Sequence, residues 1–234
     1  ATNTTTNSLE ASIVGSTLGA FDAPTSVTVH AQDQSHILAV LGAASIAAGG
    51  SGAVSVNVSI SATYAENSIG SSLLATITDS KVTTGGTVSV DALSDTDIHA
   101  FGLAVGVAAG GSGGVSVNVA ASGALAFNTT TNTIEASIVN TTGVLTNSHI
   151  IAGGDVSVEA VDSSRIQSEL LAASISAGGA GAVSVNVSVA ATYAENTIGG
   201  TVLATIDDSI VNTSGGAVTV DALTENTIDA FGLA

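Results

Sequence analysis

Apolar and polar residues alternate along most of this chain with a period of two. In Val54-Ser-Val-Asn-Val58 the valines share one face of an extended strand, while Ser55 and Asn57 share the other. That is the signature of a half-buried strand, and it predicts valines packed inward. The VSVNV strand recurs at Val115 and Val183, and a V-x-V strand with a trailing acid recurs at Val88–Asp91, Val156–Glu159 and Val218–Asp221. Between them lie Ala-rich apolar runs such as Ile37 to Ala48, interrupted by Gly42 and Ser45 and ended by Gly49-Gly50. Such a run is short of the roughly 18–20 residues of a membrane helix, so it predicts buried strands and no membrane insertion.

The strands belong to a long repeat. AVSVNVSISATYAENSI at Ala53–Ile69 returns as AVSVNVSVAATYAENTI at Ala182–Ile198. Each long period splits again, because Asn-x-Ile/Leu opens a unit at Asn7, Asn67, Asn132 and Asn196. Units of about 60–65 residues therefore run over 7–66, 67–131, 132–195 and 196–234, the last incomplete. Two sets of glycine pairs punctuate them: Gly85-Gly86, Gly153-Gly154 and Gly215-Gly216, then Gly49-Gly50, Gly110-Gly111 and Gly178-Gly179. Glycine accepts positive φ at no steric cost, so both sets predict corners.

The expected fold is all-β: a right-handed parallel β-solenoid (β-helix), one continuous domain over 1–234. Each unit is expected to hold about three coils of roughly 20–23 residues, about eleven coils in all, making a rod on the order of 50 Å long. Ala1 aligns with Ala126 and Ala234 with Ala104, which predicts a section of a longer repeat array. The alternative is a pilus-like subunit completed by a neighbour's strand.

Composition narrows the function classes. With 19 acidic residues against Lys81 and Arg165, the formal net charge is −17, and such a surface repels nucleic acid. Cys is absent, so disulfides and thiolate metal sites are excluded. Gly49-Gly-Ser-Gly-Ala-Val54 resembles the start of the calcium-binding nonapeptide of the RTX toxins and secreted proteases. Valine, however, stands where that motif needs Asp, and calcium takes oxygen ligands. The acids recur at strand ends (Glu10 with Glu135, Glu66 with Glu195, Asp79 with Asp208), which predicts a solvated face. Asp207-Asp208 is the best single cation candidate, with Ca²⁺ as its ion, although the repeat mate Thr78-Asp79 keeps only one carboxylate. No other cofactor is expected.

The histidines exchange with other polar types between repeats (His36 with Arg165, His30 with Glu159, His99 with Asp229), so they read as surface and not as catalytic groups. Asn57, Asn118 and Asn186 sit at one point of each VSVNV strand. Identical amides can form ladders, but three coils of separation would keep these apart, so a turn or cap role is expected. The rings, Phe101 with Phe231 and Tyr64 with Tyr193, are expected to plug coil interiors or cover an edge. A carbohydrate-stacking platform is the lesser alternative.

Together, N-x-I-x-A-x-I, G-G-x-V-x-V-x-A and A-G-G-x-G-x-V-S-V-N-V resemble the repeats of giant bacterial surface proteins, the filamentous-haemagglutinin-like and leukotoxin-like adhesins. The resemblance covers the chain from Asn3 onward. It implies an exported β-solenoid at the cell surface or outside the cell, acting in attachment, sheath or biofilm, with no catalytic residues to carry over. The expected partners are further copies or repeats of the same chain, end to end, and cell-surface glycans. A glycan- or ice-binding module is the further alternative, and an enzyme is not expected.

Overall fold

The computed structural model describes residues 1–20, 25–144 and 148–234. The first two circuits of the chain comprise β1 (Thr2–Val14), β2 (Thr17–Ala20), β3 (Val27–Asp33), β4 (His36–Ser51), β5 (Val54–Thr78), β6 (Lys81–Thr84) and β7 (Val88–Ser112). They continue into β8 (Val115–Val139), β9 (His149–Ala152), β10 (Val156–Ala180), β11 (Val183–Asp207), β12 (Ile210–Thr213), β13 (Val218–Thr224) and β14 (Thr227–Leu233). Three sheets result. One is ordered β1-β5-β8-β11 and a narrow one β12-β9-β6-β2; in the third, β3 and β4 pair with β7, which pairs with β10, which pairs with β13 and β14. Every pairing is parallel, and no described residue is helical. This is an all-β solenoid.

The length of its circuit corrects the expected one. Asn57 lies beside Asn118, 61 positions on, and Asn118 beside Asn186, 68 positions on. Together these steps account for the 129-residue repeat offset. One unit of about 60–65 residues thus passes once over all three sheets and does not divide into three coils. The strands of β5, β7, β8, β10 and β11 are 25 residues long, about 80 Å end to end, whereas stacked strands advance only about 4.8 Å each. The described stretch is therefore flat and wide, not the 50 Å rod that eleven short coils would make.

In cross-section each circuit is a wedge. At the broad end the two long sheets are spaced by the narrow one, and Leu73, Ile77, Val82, Val88, Val90 and their stacked equivalents fill the triangle. Burying each such side chain contributes about 1.5–3 kcal/mol. Ile69, Ile98 and Ile166 extend this core toward the middle of the wedge. At the thin end the long strands meet through a two-residue turn, such as 113–114 between β7 and β8. Here only small residues face inward. Ser45 and Ser59 touch hydroxyl to hydroxyl at 2.6 Å, and Ser122 and Ser174 at 3.0 Å.

That closeness inverts the alternation. Ser116 and Asn118 are fully buried, while Val115 is 36% exposed; at the first edge Val56 is 63% and Ile60 69% exposed. The valines of VSVNV point outward, contrary to the expectation from their apolarity. The reason is steric: β7 opposes β8 with Gly106 and Gly110 on its inner face, and the gap they leave accepts a hydroxyl or a flat amide but no branched side chain. A Cβ on Gly106 would stand 2.7 Å from the Ala121 carbonyl oxygen.

Two substitutions test the thin end. Gly106→Ala is expected to destabilise by about 1–3 kcal/mol, because backbone must shift to admit the methyl group. Gly42→Ala, whose Cβ would meet nothing within 4 Å, is expected to stay within about 0.5 kcal/mol of wild type. Urea unfolding of both variants, followed by circular dichroism, makes the comparison.

Candidate functional site

The interior of the thin half is an array of stacked amides. Asn57 Nδ2 donates to Asn118 Oδ1 at 2.8 Å, and Asn118 Nδ2 donates to Asn186 Oδ1 at 2.9 Å. A second ladder runs Asn3 to Asn67 to Asn128 to Asn196 at 2.8, 2.7 and 2.8 Å. All five bonds point the same way along the axis. Because one unit is one circuit, identical residues become neighbours, and the expected turn or cap role of Asn57, Asn118 and Asn186 is replaced by direct ladder contacts. The second ladder also regroups the unit-opening asparagines. Asn67 and Asn196 belong to it, whereas Asn7 and Asn132 lie one turn of the pattern further on, in register with Ser71 and Gly200.

The glycines opposite the first ladder take a role other than the expected corner. A Cβ on Gly49 would sit 2.7 Å from Asn57 Oδ1, one on Gly110 2.0 Å from Asn57 Nδ2, and one on Gly178 2.1 Å from Asn118 Nδ2. These glycines make room for the amides from within β4, β7 and β10. Their partners Gly50, Gly111 and Gly179 follow them in the same strands. Positive φ among described glycines occurs only at Gly15, Gly143 and Gly200.

Asn7 and Asn132 instead anchor a buried polar seam across the wedge. Asn132 Nδ2 reaches Asp162 Oδ1 at 2.9 Å, Ser164 at 3.0 Å, Ser94 at 3.2 Å and Thr96 at 3.3 Å. Asn7 reaches Asp33 at 2.8 Å and Ser35 at 2.7 Å, and the Ser71 hydroxyl also donates to Asp33. Asp33 and Asp162 are buried, each supported by these neutral donors. Charge alone gave no hint of these two, since they resemble the other acids in sequence; only their inward parity beside Asn7 and Asn132 marks them.

The outer surface divides sharply. Residues 42–65, 103–126 and 171–194, which lie in register in the thin half of successive circuits, contain no Asp, Glu, Lys, Arg or His. Their outward positions are apolar: Val54, Val56, Val58 and Ile60 stack beside Val115, Val117, Val119 and Ala121, then Val183, Val185, Val187 and Val189. Leu38, Val40, Ile46, Leu103 and Ile175 are exposed on the opposite outer face. At the border of this zone Tyr64, Phe127 and Tyr193 stack with ring centroids 5.6 and 5.7 Å apart. Tyr64 and Tyr193 are exposed, as is Phe231, so of the two expected placements these three rings do not plug the interior and lie on the surface. The tyrosine hydroxyls donate to Glu66 and Glu195, and these bonds raise both phenol pKa values above the ordinary one.

The broad half carries the charge. His36 pairs with Asp97 at 2.9 Å when protonated, and Arg165 with Asp229 at 3.3 Å; exposed pairs of this kind contribute at most about 1 kcal/mol. Asp79 and Asp208 both adopt positive φ, 49° and 45°, at the turn between the long and narrow sheets. Asp tolerates that conformation better than most residues, which gives Asp208 a conformational reason for its place. Asp207 ends β11 beside it. Among described residues no three His, Asp or Glu side chains converge as a metal site. The Asp79 carboxylate accepts from the Thr141 hydroxyl at 2.5 Å and the Thr141 amide at 2.7 Å, and these bonds, the hydroxyl foremost, hold its pKa below the ordinary aspartate value. A shallow recess of about 510 Å³ between Gly15, Ser16, Thr17, Asp79, Lys81 and Thr142 lies beside it.

Asn118→Ala fits the gap but removes the amide, leaving one Asn57 N–H and the Asn186 acceptor without their ladder partner, at an expected cost of about 2–4 kcal/mol in urea unfolding; Val117→Thr, one residue away and outward, is expected to cost under about 0.5 kcal/mol. At Asp79 the folded pKa is depressed, so its contribution to stability is present above the unfolded value and lost as pH falls through the folded one. Thr141→Val is expected to raise the carboxyl titration midpoint toward the ordinary value in ¹³C NMR; an unchanged midpoint would show that Thr141 does not set it.

No family model, curated protein or solved structure matches this chain.

Proposed function

We propose that the chain is a structural segment of an extracellular microbial surface filament or adhesin shaft. In this reading it is a right-handed solenoid whose units of about 60–65 residues each make one coil, and it works in cell–cell or surface attachment, in a sheath or in a biofilm matrix. The observation that carries it is axial continuity. Backbone bonds of all three sheets and both amide ladders run along one direction, in unbroken register from circuit to circuit. A load along the axis is therefore shared by every strand of a circuit at once. Further coils of the same kind would add to β4 and β11, each of which pairs with a strand on one side only. The acidic broad half keeps such a fibre dispersed.

Cryo-electron microscopy of the protein as cells produce it is the test. The expected image is a continuous rod with an axial repeat near 4.8 Å and a flat cross-section about 80 Å wide. Discrete particles with no axial repeat would overturn the shaft reading.

A further inference from the structure

The charge-free outer face of the thin half has a shape and chemistry that select one kind of partner. From the geometry we infer that a second copy of this chain docks on it, valine face to valine face, so that solenoids associate side by side. This is independent of the axial shaft reading, which concerns the strand edges and not the face.

Three observations converge on a copy of the same chain. First, the face is a lattice of nearly identical rows: Val54, Val115 and Val183 in one column, Val56, Val117 and Val185 in the next. Rows repeating at the strand spacing interdigitate best with rows of the same spacing, which another copy supplies. Second, a chain of net charge −17 repels its own kind everywhere except where it carries no charge, and 42–65, 103–126 and 171–194 place that zone on this half. Third, the area suffices. Eleven residues from Val54 to Tyr64 across three strands give roughly 500 Å² per face, hence about 1,000 Å² for a pair, the threshold for a specific interface, and it grows with every further coil.

A bilayer is the competing occupant, since apolar-out and polar-in is also the pattern of membrane strands. The formal net charge of −17 opposes approach to an anionic bilayer and leaves a neutral one to the flotation arm below.

Sedimentation velocity of the 234-residue chain between about 1 and 100 µM reads the association. A dimer or higher species is expected, weakened at least tenfold by Val117→Asp. Ser157→Asp, on the charged half, is expected to leave it unchanged, and circular dichroism verifies that both variants are folded. Val117→Cys in this cysteine-free chain should form an interchain disulfide on oxidation, whereas Ser157→Cys should not. A monomer at all concentrations would overturn the inference. So would association that Val117→Asp does not touch, which would instead mark edge-to-edge pairing and favour the shaft. Flotation of a monomeric chain with phosphatidylcholine vesicles, abolished by Val117→Asp, would transfer the face to lipid.

Discussion

The close approach of two long sheets at the thin end of the wedge is the constraint from which the rest of the molecule follows. Glycine and alanine on the inner face of β7 and β10 let the opposing strands come within reach of serine hydroxyls. That spacing excludes valine and isoleucine, so the inner face there is built from Ala, Ser and Asn, and the valines are displaced to the outside. A polar interior is stable only if its groups are paired, since an orphaned buried amide costs about 1–3 kcal/mol. Stacking identical circuits solves this, because each asparagine finds in its neighbour the complementary half of its own amide. The repeat is therefore a chemical requirement of the thin end.

The broad end obeys the opposite rule within the same circuit. There the narrow sheet props the long sheets apart, and Ile77, Val82 and Val88 fill the space as an ordinary apolar core. The polar seam of Asn132, Asp162 and Ser164 lies between the two regimes. A single 25-residue strand such as β8 thus presents Asn118 inward near one end and Ile138 inward near the other. Inward parity is constant along the strand; the preferred chemistry of that face is not.

Much of the fold was legible in the chain. The alternation marked the strands, and the offset repeat placed equivalent residues such as Val54 and Val183 in one column. Two features were hidden by physics that a single strand does not display. The circuit length depends on which repeats stack as neighbours, and short alternating motifs suggested short coils where the structure has 25-residue strands. The facing of VSVNV depends on the residues across the gap. Small Gly106 and Gly110, some ten residues earlier in the chain, decide it more strongly than the hydrophobicity of Val117. The same blind spot concealed the ladders, since asparagines supposed to lie three coils apart have no reason to touch, and it assigned Gly49, Gly110 and Gly178 to corners when they accommodate amides.

An apolar exterior over a polar interior is the central claim, and chemical accessibility measures it most directly. Single cysteines replacing Ser116 and Val117 in this cysteine-free chain differ by one position and face opposite ways. In the folded, reduced monomer at high dilution, the Val117→Cys thiol is expected to react with a water-soluble maleimide, and the Ser116→Cys thiol only on unfolding. Protection at 117 with rapid labelling at 116, in a folded and monomeric sample, would place the valines inside and contradict it.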